Sequence, residues 1–158
     1  SIEQLPAYAI NRLYNRCQSC HTLDGSENTG PSFKGLWNRV SKGDVTFTTG
    51  EKLSNLLGPS TEYEVPENYI RQSLTTPQKH IVQGYLGAMP TFQSQLKEKQ
   101  IIAIIEMFKR LDELTDADGN IIVNSCRRSV PVLGDHQCFF IYLGEVNIYL
   151  GELRFRLP

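Results

Sequence analysis

Cys17-Gln18-Ser19-Cys20-His21 reads C-x-x-C-H. The spacing has a specific chemistry: two thiols three positions apart can add to the two vinyl groups of a haem, giving thioether bonds. The imidazole that follows is then placed beneath the iron, where a neutral ring nitrogen is a good axial ligand. C-x-x-C by itself is shared with zinc sites and redox dithiols. A zinc site wants a second ligand pair, and the only further candidates, Cys126, His136 and Cys138, lie far along the chain in a stretch of different character. A thioredoxin-like pair wants a preceding strand, whereas the residues before Cys17 have a helical pattern. The haem reading therefore sets the demands on the remainder: a sixth iron ligand, an apolar pocket and an edge open to a redox partner.

The totals allow this. The chain has 158 residues, 40% hydrophobic and 21% charged, with a net charge of −1. One domain with an appendage is expected, with enough apolar residues for a core. Without a basic surplus, nucleic acid is not an expected partner. No apolar run is long enough to span a bilayer, and no secretory signal opens the sequence. Haem attachment of this type goes with export, so a signal or anchor is expected upstream of the first residue.

Working outward from the motif, Ile2, Leu5, Ala9, Ile10, Leu13 and Tyr14 form an approximate helical stripe over 1–16, with Pro6 acceptable in the first turn. Residues 22–31, ending Gly30-Pro31, are a run of turn formers and predict a loop. Phe33, Leu36 and Trp37 suggest a helical turn over 33–39. A brief extended piece is expected at 45–48, and another helical turn at 52–57, stopped by Gly58-Pro59. Pro66 to Leu74 predicts a short helix with Pro and Glu in its first turn. Gly84, Gly87 and Pro90 make 78–95 a loop, and Ile101, Ile104, Ile105, Phe108 and Leu111 predict a helix over 97–113.

For the sixth ligand the sequence offers Met89, Met107 and His80. Met107 lies inside the last helical stripe, where it reads as core filler. Met89 sits in Gly84-Tyr85-Leu86-Gly87-Ala88-Met89-Pro90, a flexible loop tightened by proline, able to lay a thioether across a flat cofactor. A thioether raises the reduction potential relative to a second imidazole, which suits a carrier working near an oxidase. His80 is the competitor, although a lone histidine there reads more readily as a surface residue. A carbonyl of the Gly30-Pro31 loop could accept a hydrogen bond from the other, protonated nitrogen of His21 and fix its ring. Trp37 and Tyr69 have polar handles that could reach a haem propionate, or could serve as buried packing.

In order, these pieces resemble a class I cytochrome c: N-terminal helix, C-x-x-C-H, Gly-Pro loop, Met-Pro loop and an aromatic-bearing last helix. More narrowly, residues 10–114 are similar to the cytochrome c domain fused to bacterial cytochrome c oxidase subunit II. The resemblance rests on Gly30-Pro31-Ser32-Phe33-Lys34-Gly35-Leu36-Trp37, Glu67 to Leu74, Pro77 to Tyr85, Met89-Pro90-Thr91-Phe92 and Phe108-Lys109-Arg110-Leu111. It implies an all-α class I cytochrome c fold over 1–114, its first and last helices crossing and one haem c in the core. Cys17 and Cys20 would be the thioether anchors, His21 and Met89 the axial ligands, and Pro31, Trp37 and Tyr69 pocket residues. It further implies single-electron transfer to redox partners of a respiratory chain, in the periplasm or on the outer face of the cytoplasmic membrane, within a membrane-anchored parent subunit. Related domains also serve as free periplasmic carriers and in quinol-oxidising complexes. An open sixth position would instead give a peroxidase or gas sensor. The apolar Leu86-Gly87-Ala88 loop would rim a small, weak electron-transfer contact.

Two stretches depart from the family. Residues 51–62 are longer than usual, and the Cys-x-x-x-Cys pair of a subunit II copper site is absent from the sequence. Residues 115–158 read as an extension without a counterpart, of β or irregular structure. Its Asp116 to Asn120 turn resembles a calcium loop, but the twelfth position is Arg127 rather than a bidentate glutamate. Its end holds a near-repeat, Ile141 to Asn147 and Ile148 to Arg154, and Cys126 and Cys138 could pair in an exported protein.

Overall fold

The computed structural model describes residues 4–123, and these form an all-α unit. Leu5 to Arg16 is one helical run that changes its winding. It begins as α1 (Leu5–Tyr8) with proline in the first turn, widens to a π-helical turn (Ala9–Leu13) and tightens to a 3₁₀ turn (Tyr14–Arg16). The winding change turns Ala9, Ile10 and Leu13 into the core, where each is at most 4% exposed. The motif continues the run as a turn: Cys17 N–H donates to the Tyr14 carbonyl at 2.8 Å and His21 N–H to the Cys17 carbonyl at 2.9 Å. Ile2 of the expected stripe lies outside the described residues.

Helix α2 (Leu36–Ser41) is entered through Gly35 in the left-handed region, φ +66°. Helix α3 (Pro66–Thr75) starts as its sequence predicts, with Val65 extended before Pro66 and Glu67 in the first turn. Tyr69, Ile70 and Leu74 are its buried face. The expected helix over 97–113 is two pieces, α4 (Glu98–Lys109) and α5 (Leu111–Leu114), separated at Arg110 where the backbone leaves helical angles (φ −123°, ψ 22°). At the start of α4 the Gln100 side chain accepts the Lys97 N–H at 2.9 Å, so one end donor is satisfied. The α4 stripe is the centre of the core, packing on α1, the π turn and α3. Met107 is 1% exposed within it, the core filler its position predicts.

Among the described residues no strand forms. Isolated bridges join Thr46 to Lys52, Phe47 to Val82, Leu57 to Tyr63 and Thr115 to Ile121. The first three organise the irregular stretch between α2 and α3, with a 3₁₀ turn at Leu53–Asn55 inside the expected helical segment. The Phe47–Val82 bridge, with Thr48 N–H on the Ile81 carbonyl and Gln83 N–H on the Thr46 carbonyl, ties this stretch to the loop that leads to Met89. Leu53 is fully enclosed and Tyr63 3% exposed, so the long 51–62 segment packs as part of the unit.

Beyond α5 the Asp116 turn closes on itself, its carboxylate accepting the N–H groups of Asp118 and Asn120. Lys34 Nζ donates to the Ala117 carbonyl at 2.8 Å and Asn11 Nδ2 to the Val123 carbonyl at 3.0 Å, so residues 115–123 lie against the helices. Cys126, Cys138, Arg127 and the near-repeat lie outside the described residues. No helix among the described residues is long and apolar enough to cross a membrane.

Candidate functional site

His21 is held from several directions. Its Nδ1 is 2.7 Å from the Pro31 carbonyl, which can only accept, so Nδ1 carries the proton. Burial pushes the imidazole below the usual 6.5, more than the Pro31 hydrogen bond raises it, and the ring is neutral. Neutral with Nδ1–H, it has its free lone pair on Nε2. Nε2 makes no hydrogen bond, and no fully buried side-chain nitrogen or oxygen among the described residues lacks one, so Nε2 borders open space. The Phe33 ring stacks on the imidazole at 4.5 Å with 16° between planes, and Phe33 is set edge-on to Phe108 at 4.7 Å. Gly30 is required here: a Cβ on it would lie 2.5 Å from His21 Cε1 and 2.9 Å from both ring nitrogens, against the face of the ring. Tyr14 completes the support, its hydroxyl donating to the His21 carbonyl at 2.9 Å.

That open space is a cleft of about 220 Å³. A single water needs about 10–15 Å³ of such space, so the cleft far exceeds a packing defect. Leu36, Val40, Ile70, Leu74, Ile104 and Phe108 contribute to its apolar wall, from α2, α3 and α4. Cys17 and Cys20 also line it, both as free thiols and both half-buried. Burial, with a smaller contribution from Cys20 and against Arg16, pushes the Cys17 thiol up to about 11, so it is protonated at neutral pH. A redox dithiol works through a lowered thiol pKa; Cys17 has the opposite environment.

Met89 lines the same cleft, half-buried and packed against the core. Gln78 Nε2 donates to the Met89 carbonyl at 3.2 Å and to the Gly87 carbonyl, tying the two sides of the loop together. Pro31 and Tyr69 are in the wall as expected, Tyr69 only 5% exposed and with burial pushing its hydroxyl pKa up. Trp37 is not in this lining: α2 turns Leu36, Arg39 and Val40 to the cleft, and Trp37 lies under Lys109, whose Nζ is 5.1 Å from the ring centroid. His80 does line the cleft, and its side chain is only 11% exposed, so it is not the surface residue its isolation suggested. Phe33 is a site residue that its helical-turn pattern does not mark; its place three positions after Gly30 in the Gly-Pro loop is the signal the sequence carries.

A comparison with models of known protein families found no match, and neither did a search of curated proteins.

Proposed function

We propose that residues 4–123 are a class I c-type cytochrome domain that carries single electrons through one covalently held haem c. The observation that carries this reading is the neutral His21, its free Nε2 bordering an apolar cleft whose lining includes the Cys17 and Cys20 thiols and Met89. These donors fit the group. Protonated thiols are what addition to vinyl groups consumes, an imidazole with its tautomer fixed by a carbonyl is a strong iron ligand, and a thioether is the soft partner. Haem supplies an iron that gains and loses one electron. The chain's own part is to fix the His21 ring, to keep water from the apolar walls and to present Met89 as the second ligand. Held by both His21 and Met89, the iron would leave no place for oxygen or substrate, and the domain would act as a relay.

The motif order further supports a domain of a respiratory complex, similar to that fused to bacterial cytochrome c oxidase subunit II. It would work in the periplasm or on the outer face of the cytoplasmic membrane, exchanging electrons with redox proteins there. Leu86, 97% exposed on the Met89 loop, belongs to the rim such a partner would touch. The test is optical. The ferric protein should show the weak far-red sulfur–iron band of His/Met ligation, and Met89→Ala should abolish it. Persistence of the band in that variant overturns the ligand assignment, and a high-spin wild-type spectrum moves the domain to the peroxidase or gas-sensor class.

A further inference from the structure

Two features stand outside the haem reading: the long 51–62 segment, and His80, a histidine in the cleft wall that the electron-transfer function does not use. The structure brings them together. The segment ends at Glu62, whose Oε1 is 2.9 Å from His80 Nε2 and 2.8 Å from Lys79 Nζ. A carboxylate only accepts, so Nε2 donates to it. His80 packs on Phe47 at 4.7 Å and on Tyr63 at 5.9 Å, both supplied by the stretch between α2 and α3. Its Nδ1 makes no hydrogen bond and, as with His21 Nε2, cannot be fully enclosed. An imidazole in the wall of the cleft that also contains Met89 is a rival iron ligand. It is on the same loop, nine residues before the methionine.

We propose that Glu62 is a positioning residue that holds the His80 imidazole away from the iron and so leaves the sixth position to Met89. This rests on the haem reading above. The clamp has two parts. Phe47 and Tyr63 set the place of the ring, and the carboxylate anchors it through Nε2–H. Bringing the unbonded Nδ1 to the iron therefore requires the ring to leave both the hydrogen bond and the aromatic contacts. Burial works against ionisation of Glu62, but Lys79, Tyr63 and His80 around it outweigh burial and hold its pKa at about 2, so the acceptor stays charged at every physiological pH. Tyr69, edge-on to Tyr63 and tilted against Phe47, backs both of the rings that pack on His80. On this account the 51–62 segment is a determinant of ligation: without it the chain would offer the iron an imidazole as well as a thioether.

The experiment is the far-red sulfur–iron band and the reduction potential of the holoprotein at neutral pH in four forms: wild type, Glu62→Ala, Glu62→Gln and Glu62→Ala with His80→Phe. Glu62→Ala should lose at least half of the band, and its potential should fall, because a second imidazole favours ferric iron relative to a thioether. The double variant should regain both, since the rival is gone. Glu62→Gln, whose amide oxygen still accepts from Nε2, should keep both even if the loss of the Lys79 pair lowers stability. A Glu62→Ala protein with the wild-type band and potential overturns the proposal. So does a double variant that fails to recover, which would make Glu62 merely structural. A wild-type protein without the band overturns the Met89 assignment itself, and the proposal with it.

Discussion

The imidazole of His21 is restrained by a carbonyl at its proton, an aromatic ring on its face and a glycine pressed close to it. Gly30→Ala puts a methyl group 2.5 Å from Cε1, well inside contact distance, so the ring must leave its place. That variant should incorporate far less haem, read as the haem-to-protein ratio after purification; an unchanged ratio would mean that Gly30 can yield. Phe33 is 7% exposed and braces His21 against Phe108. Phe33→Ala should cost about 3–5 kcal/mol in urea unfolding. The residues of this site were legible to different degrees. Cys17, Cys20 and His21 fall within five positions of one another, so their spacing alone puts them at one place, and Pro31 follows from the loop's need to meet the ring. Phe33 stacking depends on where α4 brings Phe108, a contact between distant segments that no local pattern records.

At the scale of elements, the helices were readable because each has a periodic apolar face with end signals, Pro66 and Glu67 for α3 and the isoleucine stripe for α4. The stretch between α2 and α3 was not, since isolated bridges leave no periodicity. It is held instead by Leu53, Tyr63 and the Glu62 contacts. The side on which Trp37 lies was not readable for a related reason: a six-residue helix has too few turns for its inward face to be read from sequence. In α4, Ala103 is fully enclosed, and Ala103→Leu should cost about 1–3 kcal/mol through overpacking. Acid stability belongs to this scale as well. Glu62 titrates at about 2 instead of the usual 4.5, and Glu67 is lowered too, burial opposing but the Lys109 contact prevailing. Carboxylates depressed in the folded state stabilise it fully above about 4.5, and that contribution is lost as pH falls through their folded values, toward about 2 for Glu62. Urea midpoints should therefore drop over that window. Glu62→Gln and Glu67→Gln should each remove about 0.2–1 kcal/mol at neutral pH, the range of partly exposed pairs, and flatten the acid slope. A slope unchanged in both variants would place the acid sensitivity elsewhere.

For the molecule as a whole, C-x-x-C-H accounts for the arrangement of the unit around one cleft. The helical run delivers the thiols, the Gly-Pro loop locks the imidazole, the Met-Pro loop adds a thioether, and α4 closes the apolar wall. The 51–62 segment is part of that arrangement through the hydrogen bond between Glu62 and His80. The central claim is that this cleft holds a haem bonded to Cys17 and Cys20, and acid–acetone extraction of protein produced with haem-attachment machinery tests it most directly. The account predicts that haem stays with the polypeptide after extraction and is released from, or never joined to, a Cys17→Ser, Cys20→Ser double variant. Haem that extracts freely from the wild type, or that remains covalently bound in the double variant, would contradict it.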